Sequence, residues 1–323
     1  PTILATMDSL GVPVLMITAK TKLLKLLSKD LSDSSLAISV EELSEKKETF
    51  SSKSLEKHGL SHLLKSLGRD PPTIYEPDIS VFLLDLGAAI LSNGFRNPSA
   101  FRPAFSYLST TDYVQHKYAP GSSEANKFYQ SVDQSIERLF STGAVVGLTA
   151  DHGMNSKVTL TGEPNVVHLQ DVLTELGVKG RVICPITDPY VVHHGALGSY
   201  ATIYIEDPSK IPFVLTELRQ KRGIYGALGK DDACDAFSLP PDRVGDIIVL
   251  GDQNTALGKS PKDHDVSAIK SLRTHGGLEE IKVPMFFTHR LNDESLQKLT
   301  TGNSRNFDLF DFLCNGIERL PRK

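Results

Sequence analysis

Short apolar runs alternate with segments of helical spacing along this 323-residue chain, which predicts an α/β fold. The expected architecture is a largely parallel central sheet with helices on both faces and a smaller α+β cap. Two observations carry that expectation. Val14–Thr18, Phe105–Ser109 and Ala144–Leu148 are too short for core helices, and they are apolar enough for strands buried on both faces. After Leu176 the texture changes to strand signals set around one helix and a Pro/Asp-rich loop, the pattern of a smaller α+β element.

Taken in order, Thr2–Met7 reads as a helix ended by Leu10-Gly11, and the run from Val12 to Thr18 follows as a strand. An α/β domain that opens on a helix has usually lost the strand before it, so a further segment is expected upstream of Pro1. Ala19–Leu27 carries Leu at helical spacing. Residues 28–75, rich in Ser, Lys and Glu, predict exposed irregular structure with short helices. Asp78–Leu91 is apolar enough for a helix packed on a sheet. Gly121-Ser122-Ser123 offers a helix cap, and Phe128, Val132, Ile136, Leu139 and Phe140 fall mostly on one helical face. Gly143 stops that helix before Ala144–Leu148. Val167–Leu176 reads as a helix, Thr202–Ile205 and Val244–Leu250 as strands, and Lys210–Arg222 as a helix between them. Asn306–Leu320 reads as a closing amphipathic helix. The expected division is a metal-binding core of residues 1–190 and 265–323 with a cap of residues 191–264.

The totals exclude several partners. A net charge of −4 gives no electrostatic footprint for nucleic acid or an anionic membrane, and no tract approaches a membrane span. An anionic substrate must then be drawn in by local charge or by metal. Cys184, Cys234 and Cys314 are odd in number and match neither a zinc-knuckle nor a disulfide pattern, and no signal peptide is evident. The expected location is therefore cytoplasmic.

Chemistry concentrates at two strand ends. Asp112 and His116 follow Phe105–Ser109, four residues apart, so one helical turn brings both to one face. Asp151 and His152 follow Ala144–Leu148, with Gly153 allowing a sharp turn and close packing. Each pair alone has an ordinary explanation, a capping or turn Asp beside a solvated His. Carboxylate and imidazole delivered twice at strand ends, with His275 isolated in Thr274-His275-Gly276-Gly277, suit a two-metal hydrolytic site.

These motifs resemble the metal-ligand motifs of the alkaline phosphatase superfamily. Leu108–Lys117, Ile186–Ser199, Arg273–Gly277 and Ile17-Thr18-Ala19-Lys20-x-Lys22-Leu23 are similar to the phosphonoacetate hydrolases within it, over a span from about Pro1 to about His289. The resemblance implies carbon–phosphorus bond hydrolysis with two zinc ions, yielding acetate and phosphate from phosphonoacetate. Asp112, His116 and His275 would hold one zinc, and Asp151 and His152 would contribute to the other. It further implies that Lys20 and Lys22 bind the substrate carboxylate, although both also fit a solvated face shared with Lys25 and Lys29. The nucleophilic Thr of such enzymes and an Asp of the first strand have no matching segment here. The expectation is that they lie upstream and that this chain by itself turns over slowly. His193, His194 and His264 read as loop histidines, and His58, His62, His168 and His289 as surface or packed ones. Two further readings stand beside this one: a phosphodiesterase or nucleotide pyrophosphatase of the same superfamily, and an inactive metal- or ligand-binding fragment.

Overall fold

A strand buried on both faces needs an unbroken apolar run, and β1 (Val14–Thr18) supplies one in which every residue is buried. It is the centre of a three-stranded parallel sheet, ordered β2-β1-β3, with β2 (Leu36–Ser39) and β3 (Phe105–Ser109) as neighbours. Leu15 lies opposite Leu36, and Val14 opposite Phe105. The strand period then sorts the side chains. Leu15, Ile17, Leu36 and Ile38 face a cluster built on Phe82, Leu83, Leu86 and Ile90, whose spacing is helical. Val14, Met16 and Ala37 face the other way, onto Leu4 of α1 (Ile3–Ser9) and Leu24 of α2 (Thr21–Leu27). Helices therefore cover both faces, as the sequence predicts. The structure described is a computed structural model, covering residues 1–45, 47–97, 99–186, 197–267, 269, 271–302 and 304–318.

Residues 28–75 hold the short helices expected of them, but they are less exposed and less irregular than expected. Within them β2 is a fully buried strand, and α3 (Val40–Ser44), α4 (Phe50–Lys57) and α5 (Ser61–Ser66) follow, with Leu55, Leu60 and Leu63 in the core. Leu36-Ala37-Ile38 is too brief a signal to stand out from polar surroundings; pairing with β1 is what makes it a strand. Next, α6 (Ile79–Arg96) extends past Leu91. The turn α7 (Tyr113–Lys117) precedes α8 (Ser123–Ser141), capped by the Ser122 hydroxyl, which accepts from the Ala125 N–H. Gly143, at φ +85°, carries the chain out of α8 in the left-handed region that glycine tolerates best. Strand β4 (Gly147–Thr149) is shorter than the apolar run that announces it.

The rest of the chain supplies β5 (Asn155–Ser156), β6 (Val166–His168), α9 (Leu169–Glu175), β7 (Gly180–Ile183), β8 (Tyr200–Ile205), α10 (Ile211–Gln220), β9 (Ile224–Gly229), α11 (Lys230–Phe237) and β10 (Ile247–Gly251). Then come β11 (Ala256–Gly258), β12 (Arg273–Thr274), β13 (Met285–Phe287), α12 (Asp293–Thr300) and α13 (Asp308–Asn315). A four-stranded antiparallel sheet, β7-β8-β10-β9, buries its apolar face against α9 and α10. The expectation lacked β7, β9 and α11: β7 and β9 carry Gly, and α11 is acidic in its first turn. By contact density the chain forms two compact units. One comprises Pro1–Val114, Pro120–Leu148 and Phe286–Lys323, the other Gln115–Ala119 and Thr149–Met285. Among the described residues no helix is long and apolar enough to cross a membrane.

Two predictions follow from the first sheet. Phe82 is fully buried among the side chains that cover it. Phe82→Ala is expected to lower unfolding free energy by about 3–5 kcal/mol, read by urea denaturation; a loss under about 1 kcal/mol would mean that this cluster is not the core. Asp8, at the end of α1, accepts hydrogen bonds from Ser32, Ser34 and Ser35. Burial alone would raise its carboxyl, but the serine donors outweigh burial and hold it below the ordinary value. A carboxyl lowered in the folded state adds stability above its unfolded pKa and loses it as pH falls through the folded value. The stability gap between wild type and Asp8→Asn should therefore shrink below about pH 4, and a gap constant from pH 6 to pH 3 would contradict this.

Candidate metal centre

Five-residue helices do not persist alone, so α7 must be held by what it touches. Tyr113 and Val114 are buried, and two successive residues of the helix are tied to Arg273. The Arg273 guanidinium donates through Nε to the Gln115 carbonyl at 2.8 Å. The Arg273 carbonyl lies 2.7 Å from His116 Nδ1. A carbonyl only accepts, so Nδ1 carries the proton and Nε2 of this buried imidazole presents its lone pair.

Arg273 also begins the segment that delivers His275. In the β5–β12 pair Arg273 lies opposite Ser156 and Thr274 opposite Asn155. Thr274 Oγ1 donates to the Leu197 carbonyl, and the His275 carbonyl accepts from the Ser199 N–H, both at 2.8 Å. Gly276 then takes φ +103°, where its missing Cβ leaves room for Ile186. His275 is thus fixed on both sides by main-chain geometry.

The result is a convergence of residues far apart in sequence. One ligand atom each from Asp112, His116 and His275 lies within 4.8 Å of the others. The two imidazole rings are 5.6 Å apart between centroids. A tetrahedral ion with ligands at about 2 Å spaces them roughly 3.3 Å apart, so small side-chain rotations would close the set on a metal. One carboxylate and two imidazoles, one imidazole oriented through its second nitrogen, is a donor set that fits zinc and leaves a position for substrate or water. Lys20 Nζ stands 4.0 Å from Asp112 Oδ1, while Lys22 is exposed on the first turn of α2.

The second sequence pair divides. His152 donates from Nδ1 to the Gly153 carbonyl at 2.9 Å, which again leaves Nε2 with the lone pair. Its ring stacks on that of His275, with centroids 3.4 Å apart and planes 8° apart. Asp151 is exposed, 3.6 Å from His152 Nε2. Among the described residues, neither belongs to the three-residue group above. Gly153 packs against the Glu280 backbone without a positive φ, so close approach rather than turn geometry accounts for a glycine there.

Other histidines bond locally or pack. His58 and His62 bond to backbone carbonyls, His264 accepts from the Lys259 N–H, and His168 packs near His264. His193, His194 and most of the string Ile186–Ser199 lie outside the described residues. Burial pushes the Cys184 thiol up to about 11, which makes it an inert packing group.

Sequence reasoning assigned no role to Arg273, Lys157 or Glu280. Lys157 is fully buried, 2.9 Å from Glu280 Oε1 and 2.8 Å from the Gln253 carbonyl. Burial pushes its ammonium below the ordinary range, against the opposing pull of Glu280. The two residues are 123 positions apart and no local pattern links them. Arg273 did lie in a quoted motif, but its work is done by its backbone as much as by its charge.

Residues 67–278 match the type I phosphodiesterase / nucleotide pyrophosphatase family. A phosphonoacetate hydrolase from Sinorhizobium meliloti 1021, crystallised with phosphonoformate, is 39% identical, covers 98% of this chain and superposes with a TM-score of 0.82, the match spanning 74% of that chain. The same enzyme with phosphonoacetate gives 38% identity, the same coverages and a TM-score of 0.81. Murine ectonucleotide pyrophosphatase / phosphodiesterase 5 shares the fold at 14% identity, with a TM-score of 0.55 over 99% of this chain and 72% of that one. The chain belongs to the type I phosphodiesterase / nucleotide pyrophosphatase family of the alkaline phosphatase superfamily and is a hydrolase.

Proposed function

We propose that this protein hydrolyses the carbon–phosphorus bond of a small anionic phosphonate, phosphonoacetate first among candidates, using zinc held by Asp112, His116 and His275. The observation that carries the reading is the convergence of those three ligands in a chain so similar to an enzyme crystallised with phosphonates. His152, stacked on His275, and Asp151 beside it are proposed as part of a second zinc set.

Bound zinc supplies positive charge that neutralises the phosphonate and lowers the pKa of the attacking group. The chain's own residues orient the ligands and bind the substrate. Arg273 orients His116 so that its unprotonated nitrogen is available for ligation. Attack of an oxygen nucleophile would form the new P–O bond as the P–C bond breaks and its electron pair goes onto carbon, tolerable only because the adjacent carboxylate spreads the charge as an enediolate. Lys20, poised beside Asp112, and Lys22 are proposed to bind that carboxylate and stabilise the charge as it develops. A proton from solvent then completes acetate.

A phosphodiesterase reading is favoured by the family match itself. Phosphate release from phosphonoacetate should exceed hydrolysis of bis-p-nitrophenyl phosphate at least tenfold in kcat/KM and should vanish when EDTA removes zinc. Preference for the diester would establish the second reading. His275→Ala should weaken zinc binding by more than the roughly 10–100-fold that loss of an outer-shell partner costs, measured by chelator competition. An unchanged dissociation constant would remove His275 from the site. Lys20→Met should lower kcat/KM for phosphonoacetate about 10–100-fold, the worth of a charge-assisted hydrogen bond, while zinc affinity stays within a few-fold. Equal losses with bis-p-nitrophenyl phosphate, which has no carboxylate and needs none for its cleavage, would show that Lys20 serves another purpose.

A further inference from the structure

Glu280 is almost fully buried, and among the described residues the hydrogen bonds its carboxylate accepts come from segments that follow a site histidine. Oε1 accepts from Asn155 Nδ2 at 2.7 Å and from Lys157 Nζ at 2.9 Å. Oε2 accepts from the Gly277 N–H at 2.7 Å, and the Glu280 carbonyl accepts from the Gly153 N–H at 2.6 Å. Gly153, Asn155 and Lys157 follow His152, and Gly277 follows His275. The ladder between these segments is only two residues long on each side, β5 against β12, and it ends before the histidines. Beyond its end, Glu280 ties the two loops together where their imidazoles stack.

We infer that Glu280 is a positioning residue that sets the spacing of His152 and His275, and that Lys157 holds it in place. The inference rests on the metal-site reading above. A buried ion pair is a poor way to gain stability, because apolar residues of similar volume serve as well or better. The Glu280 carboxylate instead answers three donors, Asn155, Lys157 and the Gly277 N–H, with directional bonds, which an apolar side chain could not do. Lys157 is bonded on its other side to the Gln253 carbonyl, so the ammonium is anchored and the carboxylate it holds has little freedom.

The test compares wild type, Glu280→Gln and Lys157→Met/Glu280→Leu. Glu280→Gln keeps the size but turns an amide N–H2 toward at least one donor. It should weaken zinc binding about tenfold or more by chelator competition, and alter the visible spectrum of the cobalt-loaded protein. In metal-free protein, the imidazole NMR signals of His152 and His275 should shift while those of His58 and His62 stay. The double variant should regain the wild-type melting temperature, yet keep the weakened zinc affinity and the shifted signals. It also serves if Glu280→Gln fails to fold. Zinc affinity within twofold of wild type together with unmoved His152 and His275 signals, in either variant, would overturn the inference. Wild type that binds neither zinc nor cobalt would sink the metal reading instead; the metal-free NMR comparison then decides the role of Glu280 by itself.

Discussion

The paired hydrogen bonds at Arg273 are the constraint from which the candidate centre follows. Its carbonyl receives the His116 Nδ1 proton, its guanidinium holds the neighbouring Gln115 carbonyl, and its place in β12 puts His275 two residues further on. One residue thereby fixes which His116 nitrogen is available and how far His116 lies from His275. The first effect is chemical and the second geometric, and a metal site needs both. A lysine at this position would keep the charge and the carbonyl but lose the planar fork that reaches back to α7.

Rigidity of a different kind underlies Asp112 and Lys20. Both follow strands of the parallel sheet, Lys20 after β1 and Asp112 after β3, and these strands are in direct register, with Thr18 opposite Ser109. Parallel neighbours end on the same side, so a cation and a carboxylate leave the sheet together and meet at 4.0 Å. Partly exposed, the pair has modest strength in water. Its importance is placement: Lys20 is held near the ligand set without itself being a ligand.

Much of this was legible in the sequence, and the limits have physical causes. The strands β1 and β3, the cap at Ser122 and the stop at Gly143 rest on local patterns, and local patterns are what a sequence displays. Strand β2 was missed because three apolar residues become a strand only when β1 pairs with them. Asp112 and His116 were visible through helical spacing; their meeting with His275 was suggested by motif and is a fact of tertiary structure. Arg273, Lys157 and Glu280 were not assigned, since backbone acceptors and pairs 123 residues apart leave no periodic trace.

The charge pattern also bears on how a chain with net charge −4 would suit the anionic substrate proposed for it. Overall repulsion is screened beyond about 8–10 Å at physiological salt, so the groups within that radius decide. Of the cations near the candidate centre, Lys157 is buried and engaged by Glu280, and Arg273 is bound to the backbone that it organises. Lys20 is partly exposed and adjacent to Asp112. In the proposed reaction most of the positive charge that a phosphonate requires would come from the metal, with Lys20 and Lys22 proposed for the carboxylate end, and on that division of labour a metal-free form of this site is expected to bind anions poorly.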